Sequence, residues 1–404
     1  MRALWHAKIT GPLLGIFWAL IIATTVAVLM SFGTGDAFRP GLIGGVALGG
    51  IVGFLATQRI DPWLLSAIAA IGGYGAAFVG LGPVHMGEAV GTIAALVAYA
   101  TFGLGLGWPV AKFMQGLPDG ALTRHEFEAA LIRFLTGFGY IFFIAIVMIP
   151  FYVMVMTSLK NQAQLLANPL DFTLDLSQGW GLFRSYFELF NDFNFGSYLW
   201  TSFYVSVLTV LITLAFSIPG AYAVARLRFQ GQKAFSRSIL LIYMVPLIVL
   251  ALPIYIAFST VGLRNTVFGI ILIYPVTTIP VALYMLQGYF RGLPAEVEEA
   301  GLMDGLSRLA VVWKITLPLS LPALASVSLY VFMIAWNEFL LAFMLLDDPS
   351  KFTLTRGIAS LNSSEIPRQH LMAGSVIATV PIMALFLGLE RFMTGGLTAG
   401  SVKG

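Results

Sequence analysis

The stretch Gly292-Leu-Pro-Ala-Glu-Val-Glu-Glu-Ala-Gly-Leu-Met-Asp-Gly-Leu-Ser-Arg308 runs on through Leu309–Trp313 into Lys314-Ile-Thr-Leu-Pro-Leu-Ser-Leu-Pro322. It is a polar insert between two long apolar runs, Thr266–Phe290 and Pro318–Leu346. Pro294 suits the opening of a helix, where its missing N–H is not needed. The acidic run Glu296, Glu298 and Glu299 favours the positive N-terminal end of that helix. Asp304-Gly305 then marks a sharp turn. The predicted product is a short acidic helix held just beneath a membrane. Ala300 and Gly301 are read as room for a close partner surface, and Glu299 as a carboxylate for a partner's Arg or Lys. Composition alone favours an ordinary amphipathic connector.

Outward from this insert, the chain is dominated by lipid-compatible sequence. Of its 404 residues 58% are hydrophobic and 10% charged, against about 25% charged in a typical soluble domain. The formal net charge of +3 is too small to imply nucleic-acid binding, and the absence of Cys excludes disulfides and thiolate sites. His6, His85, His125 and His370 are too scattered to suggest a metal cluster. Ten apolar stretches are read as spans: Gly11–Met30, Gly41–Thr57, Trp63–Gly82, Val90–Ala111, Phe134–Thr157, Tyr198–Val224, Ser238–Thr260, Thr266–Phe290, Pro318–Leu346 and Leu371–Leu389. About 20 residues cross a bilayer as one helix, so Gly41–Thr57 is the shortest and weakest of these. With a cytoplasmic N-terminus, the inner segments hold about twice as many Lys and Arg residues as the outer ones, which puts both termini in the cytoplasm. The expected fold is an all-α integral membrane protein of about ten transmembrane helices.

A polar interruption, Lys112–Arg133, divides the chain into a four-helix N-terminal extension with a cytoplasmic linker, 1–133, and a six-helix core, 134–404. Gly41, Gly45, Gly49 and Gly53 recur every four residues and supply a smooth face for close helix packing in lipid. No charged residue lies in the four extension spans, so the extension is expected to be peripheral to any hydrophilic path and dispensable for it.

Several motifs of the core, in order, resemble one family. Glu299-Ala-Gly-Leu-Met-Asp-Gly305, with Ile315 and Leu317-Pro318 downstream, is similar to the EAA loop of binding-protein-dependent ABC importer permeases, with Gly301 where the pattern has Ala. Ser158-Leu-Lys, Ala221-Tyr-Ala-Val-Ala-Arg-Leu-Arg-Phe, Trp336-Asn-Glu-Phe and the terminus Gly395-Gly-Leu-Thr-Ala-Gly-Ser-Val-Lys-Gly resemble its MalG-like carbohydrate branch, which takes maltose and other oligosaccharides. The resemblance covers about Phe134–Gly404 and leaves the first four spans unaccounted for. It implies ATPase-coupling residues at Glu298, Glu299, Ala300, Gly301, Asp304 and Gly305. It also implies a tail, Ser401, Val402, Lys403 and Gly404, that enters the interface of two ATP-binding subunits. A second, MalF-like permease subunit and an extracytoplasmic sugar-binding protein complete the implied assembly. The implied setting is the cytoplasmic (inner) membrane of a bacterium or archaeon. The chain has no Gly-x-x-x-x-Gly-Lys-Ser/Thr phosphate loop, so ATP and Mg²⁺ belong to the partners, and no catalytic, cofactor or metal site is expected here.

Glu338 is the one charged side chain within the ten spans. Beside Trp336 and Asn337 it is a candidate for the translocation path, since a Trp face and polar atoms suit a sugar ring. An interhelical hydrogen bond that holds the span in place explains it equally well. The loops Asn161–Ser197 and Asp347–His370 are candidate contacts for the binding protein. An importer for a non-sugar solute shares the EAA loop. An ion-coupled secondary transporter calls for more buried charge and an inverted repeat, neither of which is visible.

Overall fold

The computed structural model describes residues 6–87, 90–168, 173–363 and 365–397. They form two compact units, Met1–Gly179 and Trp180–Gly404. The first contains α1 (Ala7–Thr34), α2 (Leu42–Ala56), α3 (Pro62–Ala77), α4 (Thr92–Met114), α5 (Arg124–Ser158) and α6 (Gln162–Ala167). Two short strands, β1 (Phe38–Pro40) and β2 (Val84–Met86), pair antiparallel with Arg39 opposite His85. The order helix–strand–helix thus occurs twice, as α1-β1-α2 and α3-β2-α4. Each pair of helices meets through small residues: a Cβ on Gly49 or Gly53 would strike the α1 backbone around Gly11 and Gly15, and one on Gly103 or Gly107 would strike α3 around Ser66. Such close approach gains dispersion contacts where lipid offers no hydrophobic drive.

Helix α5 opens on a capping box between Thr123 and Glu126, before the polar stretch 112–133 has ended. It then packs on α1 and α4. Near one end, Trp18 lies edge-on to Phe113 and Phe134, with ring centroids 5.0 and 5.8 Å apart. The Trp18 indole donates to the Gly105 carbonyl over 2.8 Å. Near the other end, Tyr152 stacks on Phe32 at 5.6 Å and its hydroxyl donates to the Phe32 carbonyl over 3.0 Å.

The second unit runs α7 (Arg184–Asp192), α8 (Phe195–Arg226), α9 (Gln232–Tyr243), α10 (Leu247–Thr260), α11 (Val267–Gly292), α12 (Ala295–Met303), α13 (Arg308–Val311), α14 (Leu317–Leu319), α15 (Leu321–Asn337), α16 (Leu340–Leu345), α17 (Leu354–Ser360) and α18 (Arg368–Leu397). Helix α8 packs on α11 and α15, and α15 on α18. Along α8, Ser202, Ser206, Thr209, Thr213 and Ser217 form a buried stripe of small hydroxyl residues. From it Thr213 shares a 2.6 Å hydrogen bond with Thr278 of α11.

Six described helices are long and apolar enough to cross a membrane, or seven if one bent pair is a single span. The expected spans at 41–57 and 63–82 appear as helices of 15 and 16 residues. At 1.5 Å per residue each falls short of a hydrocarbon core about 30 Å thick. The stretch 238–260 is interrupted between α9 and α10 at Pro246, and Pro318–Leu346 is broken twice. There α13, a π-helical turn (Val312–Thr316) and α14 meet α15 at 78°. Pro322 lacks the N–H that a continuous helix would use, and a π-turn is itself a common site of bending.

Truncating Trp18→Ala removes the ring that joins α1, α4 and α5, and a loss of about 3–5 kcal/mol is expected. Tyr152→Phe, which deletes one hydrogen bond, is expected to lose about 1 kcal/mol. Unfolding midpoints of the two variants in detergent, followed by far-UV circular dichroism, check this order.

Candidate functional site: a short acidic helix tied to α8

Helix α12 is the short acidic helix that the insert predicts. Pro294 stands at its N-cap and Glu296 and Glu298 lie in its first turn. It ends where Gly305 adopts φ 86°, in the left-handed region that glycine enters without strain. The N–H groups of Gly305 and Leu306 donate back to the carbonyls of Leu302 and Gly301, each over 3.1 Å. This pair of bonds closes a Schellman motif.

The four carboxylates of the insert have different surroundings. Glu298 is 8% exposed. Its Oε1 lies 3.4 Å from Arg226 Nε and accepts from the Thr316 hydroxyl over 3.0 Å, and its Oε2 accepts from the Tyr222 hydroxyl over 3.3 Å. Arg226 also donates from Nη2 to the Leu293 carbonyl over 2.7 Å, at the entry to α12. One buried carboxylate therefore binds α12 to the end of α8 and to the π-turn. Glu296, Glu299 and Asp304 are exposed. Sequence reasoning missed Arg226, Tyr222 and Thr316 as partners of Glu298, because nothing local marks contacts so distant in the chain.

Ala300 points outward, and Val297 and Met303 flank it at helical spacing, Met303 at 87% exposure. Leu309 and Trp313 extend this uncovered apolar surface. Gly301 faces inward, which corrects its reading as room for a partner. A Cβ there would lie 2.5 Å from Ile315 Cδ1 and 3.5 Å from both Leu306 Cδ1 and Val311 Cγ2. The missing side chain lets α12 fold back on the turn that follows it. Beside α13 opens an apolar groove of about 510 Å³, lined by Pro219, Tyr222, Leu227, Arg308 and Trp313 among others.

Trp336, Asn337 and Glu338 lie where α15 ends. Trp336 is buried, stacks on Phe332 with centroids 5.5 Å apart, and donates to the Ala378 carbonyl over 3.1 Å. Asn337 is exposed and donates to the Met333 carbonyl of its own helix. Glu338 accepts from the Leu341 and Ala342 N–H groups over 2.9 and 3.1 Å, so its carboxylate caps the N-terminus of α16. The tail residues Ser401, Val402, Lys403 and Gly404 lie outside the described residues.

The second unit thus combines broken apolar helices with a short acidic helix clamped by a buried carboxylate. Its fold is shared with a crystal structure of a bacterial ABC transporter involved in the import of the acidic polysaccharide alginate. That likeness has a TM-score of 0.56 and 22% identity, over 67% of this chain and 98% of the other. Residues 217–394 match the family model described as binding-protein-dependent transport system inner membrane component. The chain is 38% identical over 269 residues to the inner membrane ABC transporter permease protein YcjP of Escherichia coli, covering 66% of this chain and 95% of the relative. It is 34% identical over 282 residues to the trehalose/maltose transport system permease protein MalG of Thermococcus litoralis, covering 69% and 99%. It is 35% identical over 225 residues to the trehalose transport system permease protein SugB of Mycobacterium tuberculosis, covering 55% and 82%. The chain belongs to the family of binding-protein-dependent transport system inner membrane components.

Glu298→Ala leaves the largely covered Arg226 without its carboxylate, a change expected to lose up to about 3 kcal/mol. Glu298→Gln keeps one acceptor oxygen for Thr316 or Tyr222, turns the other contact into a bond that its amide donates, and should lose less. The unfolding midpoint, with the rate of proteolysis within 293–306, gives the comparison.

Proposed function

We propose that this chain is a membrane-spanning permease subunit of an ATP-driven, binding-protein-dependent importer for a sugar such as maltose, trehalose or another oligosaccharide. It works with a second, MalF-like permease subunit, two ATP-binding subunits and an extracytoplasmic sugar-binding protein. The observation that carries the reading is the Glu298 clamp under an outward face of Glu296, Val297, Glu299, Ala300 and Met303. The clamp makes α12 a rigid handle on α8, and the outward face offers a partner both carboxylates and apolar contact. The relatives named for trehalose and maltose support a sugar as cargo. The excess of Lys and Arg on the α12 side supports a cytoplasmic position for α12 and for both termini.

In this reading Glu299 takes the charged contact with an ATP-binding subunit, and Glu298, Gly301 and Gly305 hold the helix in the shape that makes it. Asp304 closes the same turn, and the tail 401–404 enters the ATPase interface. The Trp336–Glu338 segment enters as the bend that shapes the path: its indole and its carboxylate already have partners inside the chain. The N-terminal extension, with four extra helices before a core of six, serves as the packing surface for α5. ATP and Mg²⁺ act on the partner subunits.

Uptake of labelled trehalose or maltose into proteoliposomes should require the ATP-binding subunits, the binding protein and ATP together. Uptake by this chain alone would overturn the reading. Glu299→Ala should weaken association with the ATP-binding subunits by about 1.5–3 kcal/mol, roughly tenfold or more in affinity, with an unchanged unfolding midpoint. Association measured by co-purification across a protein titration reads this directly.

A further inference from the structure

Helix α7 is turned the wrong way round for a helix in water. Its protein-facing side holds Ser185 and Leu189, both buried. Glu188 reaches from that side to His370 near the start of α18, with Oε2 and Nε2 2.7 Å apart. Arg184 donates to the other carboxylate oxygen over 2.6 Å and holds the Glu188 carboxyl below the usual carboxylate range. The outward side carries Phe187 and Phe190, and Trp180 and Phe183 continue it backward at helical spacing. All four are exposed, Trp180 by 82%. Exposed Arg184, Asn191 and Asp192 edge the aromatic row.

The position of this row along the spans is fixed. Helix α7 packs on α18 and α8. It passes into α8 through Phe193 and Asn194, the latter at φ 53°. The far end of α8 carries Arg226 and the Glu298 clamp, so α7 lies at the opposite membrane face from α12. Immediately beyond the turn, α8 presents Trp200, Phe203, Leu211 and Phe216 outward along its length. The aromatic row of α7 is therefore continuous through the chain with the exposed apolar side of a helix long and apolar enough to cross a membrane.

We propose that Trp180–Phe190 is an interfacial anchor, which seats Trp180, Phe183, Phe187 and Phe190 in the boundary between headgroups and acyl chains on the side opposite α12. A contiguous aromatic patch of this kind in water marks a surface with an occupant. Aromatic rings concentrate at the membrane–water boundary, and a helix with one apolar and one polar side lies in that plane. The Glu188–His370 bond ties the anchor to α18, so the ends of α8 and α18 share one depth in the bilayer.

The chain contains no Cys, so single substitutions report without background. Phe187→Cys, Trp180→Cys and Asp192→Cys, each carrying an environment-sensitive fluorophore, are placed as the full chain in vesicles of phosphatidylethanolamine and phosphatidylglycerol. The probes at 187 and 180 should emit blue-shifted light and be quenched by lipids brominated on their acyl chains. Before labelling, those two thiols should react slowly with a membrane-impermeant maleimide, and the thiol at 192 fast. Trp180→Cys repeats the measurement at a second place, so distortion at one position does not decide the result. Equal fast reaction and no quenching at all three positions would overturn the proposal. Protection of 187 and 180 only after addition of a soluble binding protein would overturn it too, and would assign the row to a protein partner.

Discussion

A carboxylate withdrawn from water is tolerable only when other groups replace its hydration, and Glu298 is such a group. Its hydrogen bonds from Tyr222 and Thr316 and its ion pair with Arg226 join α12, the end of α8 and the π-turn at one point. Because Arg226 also holds the Leu293 carbonyl, the entry to α12 is fixed at the same place. From there the hydroxyl stripe of α8 passes the constraint to α11 through Thr213 and Thr278. Helix α12 is therefore fastened to α8 by side chain and backbone alike, and the chain beyond it turns by 78° before α15.

The short acidic helix was legible because its signals are local: Pro294 at its opening, acids in its first turn, and glycine where the chain must take a positive φ. What the insert does not reveal is which carboxylate turns inward. Glu298 and Glu299 are chemically alike, and the choice between them rests on Tyr222, 76 residues earlier, and on Thr316 beyond the turn. Gly301 misled for a related reason: smallness in a sequence marks a close approach without saying from which side. The long apolar helices followed from hydropathy, whereas the breaks near Pro246, Ser320 and Glu338 did not. An apolar run has the same composition whether it is one helix or two. At Glu338 the sequence showed a carboxylate alone in lipid, and its partners were backbone N–H groups three and four residues on. Such donors are invisible in a list of side chains.

The first unit shows what glycine contributes when the solvent is hydrocarbon. Gly49 and Gly53 bring α2 against the backbone of α1, and Gly103 and Gly107 bring α4 against α3. With no water to expel, contact distance becomes the main source of attraction between these helices. Around that close-packed frame, Trp18, Phe113 and Phe134 provide the large rings, set edge to face as their quadrupoles favour.

The attachment of α5 at both ends, through Trp18 at one and Tyr152 at the other, has a consequence for the order of biosynthesis. A ribosome delivers α1–α4 to the bilayer before α5 is made, and earlier segments fold ahead of later ones. Helix α5, whose apolar stretch is largely exposed, therefore leaves the translocon beside a surface already made. Its partners at both ends, Trp18 and Phe32, are already in place while the remaining helices are still being translated.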